Sequence, residues 1–338
     1  MSLLECDPKR RKTVFVHIDA RGCYTGNGGL VMLTQFANKL AEMGYPTFIF
    51  DQYDRLNLKQ FRWLSLGAIN FNIAPIDFVF RNHKFDYVIV TNWLNVLLPW
   101  FFKKTGRTLI SNKRAIANLR YWCHSELLRE GSQYGEVRKF CLNYLDRIAI
   151  NNHTLEQYYK SIGFNNIIYL ENWIRDDLFN FDGVVRKILN SIGHQPDRYD
   201  RENEYLPTLK SYFGKDSILL CEGNQYEVSE RMKAADFYLF WNYPSPSIRM
   251  FNGESFGMSL YEAMACGCVC IAIEHEGNKF LHGDVQLVNT ISEAINVIAE
   301  LMNNPEHKED MRRKGLRVIE NKFRFDEARV RAIEAWLG

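Results

Sequence analysis

The chain has 338 residues, 46% of them hydrophobic and 24% charged, with a formal net charge of +2. That length exceeds one ordinary core and fits two domains of about 150 residues each, and the composition excludes a disordered or fibrous chain. The longest apolar burst, "WLNVLLPWFF" at 93–102, falls short of the roughly 20 residues a membrane span needs.

The opening "MSLLECDPKRRKTVFVHI" has no apolar signal core, so a cytoplasmic protein without a secretion signal is expected. Eight cysteines show no CxxC spacing. The run "CGCVC" at 266–270 reads as small buried hydrophobes in a reducing compartment, not as a metal site. Charge is uneven: residues 1–165 carry 22 lysines and arginines against 13 acidic residues, and the remainder carries 20 against 27. Different partners for the two halves would explain this; so would two solvated surfaces that happen to differ.

In chain order, "TVFVHI" (13–18) predicts a strand and "GCYTGNGG" (22–29) a glycine-rich turn. "LVMLTQFANKLAEMG" (30–44) shows helical spacing that stops at Gly44, and "PTFIF" (46–50) predicts the next strand. "FDYVIVTN" (85–92) adds a strand, and "DRIAINNHTLEQYYKSIGF" (146–164) reads as strand then helix. Residues 175–216 read as short helices ("VVRKILNSIG", "YLPTLKSYFG") with no strand. Beyond them "SILLCEG" (217–223), "FYLFWN" (237–242), "CVCIAIE" (268–274) and "VQLVN" (285–289) predict strands, and "FRFDEARVRAIEAWL" a closing amphipathic helix. Alternating strands and helices predict an α/β protein with a parallel sheet in each half.

The stretch "GESFGMSLYEAMACGC" (253–268) places two glutamates in small, apolar surroundings. A helix starting near Phe256–Gly257 and stopping at Gly267 would leave Glu254 in the preceding loop and Glu262 on the second turn. A glycine-led helix N-terminus is a ready anion site, because unpaired N–H groups and the helix dipole both favour negative charge. Carboxylates beside bound phosphate would hold neutral hydroxyls, as a phosphorylated sugar or nucleotide offers. A capping carboxylate plus a solvated helix glutamate is the plainer alternative.

These residues resemble the E-x7-E motif of the family 4 retaining glycosyltransferases of GT-B fold (glycosyl transferases group 1). "HIDARGCYTGNGGLVMLTQFANKLAEMGYPTFIF" is similar to that family's first strand, glycine loop and helix, and "DRIAINNHTLEQYYKSIGFNNIIYLENWIRDDLF" to its interdomain passage. Asn172 stands at the asparagine of the usual Asn-Gly-hydrophobic-Asp link, and the tail from 292 to 335 resembles the segment whose last helix crosses back. The resemblance implies two Rossmann-like domains facing a cleft: an acceptor-side domain (1–170), a donor domain (171–320) that is shortened here, and a C-terminal helix (321–338) returning to the first. It implies that Glu262 holds the donor ribose and that Glu254 contacts the transferred sugar. Backbone amides of Phe256, Gly257, Met258 and Ser259 would face the diphosphate or the sugar, and Gly28 and Gly29 would let backbone approach donor phosphate and acceptor. His124, in "LRYWCHSELL", is the candidate for the histidine that faces the donor sugar; a structural histidine is the alternative. His17, inside the first strand, reads as a core or cleft-wall residue.

One departure matters. The family begins its second domain with a strand ending in Gly-Arg and a Lys-Gly soon after, whose cations clamp the diphosphate, and no such sequence follows Asn172. Arg249, in "YPSPSIRMFNGES", is the nearest substitute, against the alternative of a solvated loop arginine. The implied activity is transfer of a hexose from a nucleotide-diphospho-sugar to a hydroxyl acceptor with retention, without metal or cofactor. A glycan or lipid-linked sugar is the expected acceptor, as in polysaccharide biosynthesis. Basic and aromatic residues interleave in "PWFFKKTGRTLISNKRAIANLRYW" (99–122), which fits peripheral contact with an anionic inner-membrane surface or an ordinary solvated face. No nucleic-acid module is recognised. The rival readings are a degenerate, non-catalytic GT-B protein that binds a sugar or partner, and a sugar-nucleotide epimerase.

Overall fold

The computed structural model describes residues 13–18, 28–51, 56, 69–75, 87–90, 119–123, 147–151, 153–161, 163–181, 183, 190–194, 202–241, 257–274 and 285–338. The chain forms two compact units, Met1–Leu170 with Ala328–Gly338, and Glu171–Glu327.

Unit 1 holds a parallel sheet of seven described strands in the order β3-β2-β1-β4-β5-β6-β7. These are β1 (Val14–His17), β2 (Thr47–Phe50), β3 (Asn72–Ile73), β4 (Tyr87–Val90), β5 (Leu119–Cys123), β6 (Ile148–Ile150) and β7 (Ile167–Tyr169). The order over the first six is that of a doubly wound dinucleotide fold. Every residue of β1 is buried, as a central strand covered on both faces requires. Phe15 stacks on Phe48 at 5.3 Å, and His17 is 1% exposed with its ring 5.3 Å from that of Phe50. Helix α1 (Gly28–Glu42) buries Met32, Leu33, Phe36, Ala37 and Leu40; α2 (His153–Ser161) lies between β6 and β7.

Unit 2 begins after Leu170. Its strands are β8 (Ile192–His194), β9 (Ile218–Leu220), β10 (Phe237–Phe240), β11 (Val269–Ile273) and β12 (Gln286–Val288). They form a second parallel sheet in the order β12-β11-β10-β8-β9. The described helices are α3 (Glu202–Phe213), α4 (Gln225–Ala234), α5 (Met258–Ala265), α6 (Ile291–Asn303) and α7 (Pro305–Val318), the last running into a π turn at Ile319–Phe323. The period of two along β10 divides the core. Tyr238 and Phe240 pack with Met232 of α4, Leu260, Tyr261 and Met264 of α5, and Phe323. Phe237 and Leu239 face the other way, onto Tyr205 and Leu209 of α3 and Ile295 and Ile298 of α6.

β8 corrects the expectation that 175–216 holds no strand. It lies between β10 and β9, with Ile192, Gly193 and His194 all buried. Three residues with a central glycine show no alternation and little β propensity, so sequence pattern alone misses it. The glycine is required by packing: a Cβ at Gly193 would lie 3.1 Å from the Cys221 sulfur and 3.3 Å from both Ala235 and Tyr238.

The closing helix α8 (Glu327–Leu337) begins later than the apolar pattern predicts. Phe323 stays in unit 2, 4.3 Å from Tyr261, and Phe325 stacks edge-on against Trp173 at 5.0 Å. From Ala328 the chain belongs to unit 1, where Trp336 meets Phe36 at 5.9 Å and Arg147 donates to the Ala335 carbonyl.

Asp236, just before β10, is 2% exposed and knots unit 2 together. Its carboxylate accepts from the Asn190 amide (2.6 Å) and from Arg312 of α7 (3.0 Å), and Lys308 lies 3.8 Å away. Arg312 also donates to the Gly267 carbonyl at 2.7 Å, joining α7 to the turn before β11. Removing one partner of such a network strands the rest, at a cost of about 3 kcal/mol. Asp236→Ala is expected to lower unfolding free energy by about that amount, read from the urea midpoint at unchanged slope.

Candidate functional site

Helix α5 supplies the frame. Gly257 at its N-cap takes a left-handed conformation (φ 73°, ψ 47°) that glycine adopts without strain, and among the described residues no side chain caps the helix. The first amides of a helix have no intrahelical acceptor, so this end presents N–H groups and the positive end of the dipole. Residues Ser259 to Ala265 are all buried and pack against β10, β11 and α4. Gly267 (φ 79°) ends the element.

Glu262 sits one turn inside that end and is 7% exposed. Among the described residues no group donates a hydrogen bond to its carboxylate. Burial pushes its pKa up from 4.5 to about 8, and the nearby Arg175 guanidinium opposes the rise. It is neither a cap nor a solvated helix glutamate. Beneath it Tyr238 is completely buried, and burial first, then the neighbouring Cys221 thiol, push its phenol well above the usual range, while contact with the Ser259 hydroxyl opposes this.

Arg175 comes from the segment after β7 and is itself 8% exposed. Its Nε donates to Asp177 Oδ1 at 2.9 Å, Nη2 donates to Asp177 Oδ2, and Nη1 donates to Gln225 Oε1 at 2.9 Å. Gln225 is the first residue of α4, whose start is held by a reciprocal capping box between Asn224 and Glu227. Sequence reasoning does not single out Arg175 or Gln225. The available signal is a charge reversal: the link reads Asn172-Trp173-Ile174-Arg175, with arginine where the pattern has aspartate.

Gly257, Met258, Ser259 and Glu262 thus come together on α5. Gly28 and Gly29 are the first two residues of α1 in unit 1, so they open the helix instead of lying in the loop before it. Glu254, Phe256, Arg249 and His124 lie outside the described residues, as does most of the basic run at 99–122. β5 ends at Cys123, the residue before His124. The first described strand of unit 2, β8, ends in Gly193-His194 where the resembling family ends its strand in Gly-Arg; the His194 ring lies edge-on to Tyr205 at 6.0 Å. Cys221, Cys266, Cys268 and Cys270 are buried thiols, and burial pushes Cys221 up to about 12 and Cys270 well above its usual range, which keeps those two neutral packing groups. Among the described residues no group of three or more His, Cys, Asp or Glu could hold a metal ion, and no helix is long and apolar enough to cross a membrane.

Residues 201–318 match the family model of the glycosyl transferases group 1. No curated protein sequence matches the chain. Among solved structures it is similar to Anabaena HepE in complex with UDP and glucose, at 13% identity and a TM-score of 0.66, covering 96% of this chain and 99% of that one. It is also similar to TarM (10% identity, TM-score 0.64, 98% and 100% covered) and to WaaG, a glycosyltransferase involved in lipopolysaccharide biosynthesis (11%, 0.59, 96% and 98%). The fold is GT-B.

The raised pKa of Glu262 makes stability depend on pH. Between pH 4.5 and about 8 the folded protein holds a proton that the unfolded chain has released. The stabilisation from this proton is complete below 4.5 and falls by about 1.4 kcal/mol per pH unit until about 8. Glu262→Gln, neutral at every pH, lacks this slope. Unfolding at pH 5, 6.5 and 8 should show wild type losing stability relative to Glu262→Gln as pH rises; a constant difference would mean the carboxyl is not desolvated.

Proposed function

We propose that this GT-B chain transfers a hexose from a nucleoside-diphospho-sugar to a hydroxyl acceptor with retention at the anomeric carbon. The observation that carries the reading is Glu262: a buried carboxyl with no described donor, one turn inside a glycine-led helix N-terminus that no described side chain caps. Such a pair suits a ribose whose hydroxyls donate to the carboxylate and a diphosphate that meets the helix amides. The group 1 match over residues 201–318 supports the same activity, and the HepE structure holds UDP and glucose.

In this reading Glu262 binds ribose, Glu254 and His124 contact the transferred sugar, and the amides from Phe256 to Ser259 face the diphosphate. Gly28 and Gly29 let the backbone of unit 1 approach the donor. Departure of the diphosphate needs charge stabilisation, supplied by the α5 amides and by a cation, for which Arg249 is the candidate. Neither metal nor cofactor enters. The acceptor is a glycan or lipid-linked sugar, and the basic N-terminal half would meet an anionic membrane through screened, salt-sensitive attraction. A non-catalytic sugar- or partner-binding protein is the second reading, favoured by β8 ending in Gly193-His194 without arginine.

Calorimetry with UDP, GDP, ADP and TDP, beside assays of donor hydrolysis and transfer, tests the proposal. Above about pH 8, where the Glu262 carboxyl is ionised, a charge-assisted hydrogen bond contributes about 1.5–3 kcal/mol, so Glu262→Ala should there weaken nucleotide binding about tenfold or more. Glu254→Ala should lower turnover with little effect on the free nucleoside diphosphate. Retention is read from the anomer first formed, by NMR. A wild type that binds nucleotide without turning over any sugar donor would favour the second reading.

A further inference from the structure

A second oriented group meets the same guanidinium that lies near Glu262. Arginine carries donors only, so the contact from Arg175 Nη1 to Gln225 at 2.9 Å decides which end of the amide is oxygen. With Oε1 turned to the guanidinium, the amide –NH2 must point away from it. Both ends of the contact are rigid. Asp177 grips Arg175 through two oxygens, and the Asn224–Glu227 capping box holds the turn that carries Gln225, with both of its bonds at 2.9 Å. Gln225 is 6% exposed, and among the described residues nothing accepts from its amide nitrogen.

One guanidinium therefore lies near a buried carboxyl with no described donor (Glu262) and touches a buried side chain whose amide nitrogen has no described acceptor (Gln225). The next residue, Tyr226, leaves 55% of its surface exposed at the same helix start. A nucleoside matches this set: its ribose hydroxyls donate and its base can accept. Uracil and guanine present a carbonyl where cytosine and adenine present an amino group. An amino group would oppose donor to donor, and a site built for a hydrogen bond rejects the analogue that leaves its buried group unpaired.

We propose that Gln225 is a specificity-determining residue that selects a keto nucleobase, uracil or guanine, over its amino counterpart, and that Arg175 is the positioning residue that orients it. This deepens the donor-site reading of Glu262 and rests on it.

The test is calorimetric affinity for UDP against CDP and for GDP against ADP, read as keto-to-amino ratios. Wild type should prefer the keto member by about tenfold within the pair that binds. Gln225→Met should bring the ratio near one. Gln225→Glu keeps an acceptor for Arg175 but turns an acceptor outward, and should invert the preference. Arg175→Met should lose discrimination, and Arg175→Lys, which keeps a donor to the amide oxygen, should restore most of it. Equal wild-type affinity within each pair, or an unchanged ratio in Gln225→Met, overturns the inference. Glu262→Ala separates the two layers, since it should weaken all four ligands alike. If wild type binds none of the four at millimolar concentration, the donor-site reading itself fails and this inference falls with it.

Discussion

A carboxylate taken out of water must be met by hydrogen bonds, by a counter-charge or by a proton. Glu262 has no described hydrogen-bond donor and one nearby cation, already engaged with Asp177, so the proton takes up the difference. Its neighbours enforce that choice. Leu260, Tyr261, Ala263, Met264 and Ala265 are all buried against one face of the sheet, so α5 has no exposed side onto which Glu262 could turn. Helix α7 closes over the same place: a Cβ at Gly315 would come within 2.8 Å of Met264. The desolvation is thus built in by packing, and in the proposed reading relief would come from a ligand whose hydroxyls donate to the carboxylate.

The sheet of unit 2 explains why α4, α5 and Arg175 meet. The chain passes from β8 outward to β9, then crosses back to β10 on the other side of β8. In open parallel sheets ligands lie beyond the carboxyl ends of strands, where the order reverses. Helix α4 starts beyond the end of β9, and Glu262 belongs to the crossover after β10. Arg175, arriving ahead of the whole sheet, is held in place behind it: the Ile174 amide donates to the Phe323 carbonyl at 2.7 Å, and Trp173 packs on Phe325. The start and the end of unit 2 are joined beside the site they frame.

Legibility followed the range of the interactions involved. Long apolar strands such as "TVFVHI", "FYLFWN" and "CVCIAIE" were readable because burial repeats along them, and α5 because a glycine opens it and a glycine stops it. β8 was not, since its fitness as a strand lies in the contacts Gly193 permits with Cys221, Ala235 and Tyr238. Glu262 and its helix were visible as local spacing. The bond between Arg175 and Gln225 joins residues 50 positions apart, with no local pattern to announce it. Only the reversed charge in the link at 172–175 hinted at Arg175, and a lone arginine in a polar stretch reads first as solvated.

The charge of Arg175 cannot serve twice. Two of its nitrogens engage Asp177 and a third engages Gln225, so much of its charge is compensated before any ligand arrives. The diphosphate of a nucleoside-diphospho-sugar carries about two negative charges, against about half a positive charge from a helix N-terminus. Arg175 and Gln225 are therefore suited to orienting the nucleoside end of a donor, while neutralising the diphosphate falls to a different group. β8 ends in Gly193-His194 without an arginine, and in the proposed reading Arg249, five residues before Glu254, is the candidate for that group. In the proposed reading binding and catalysis would rest on different cations, so loss of the second would leave a nucleotide-binding site that no longer transfers sugar.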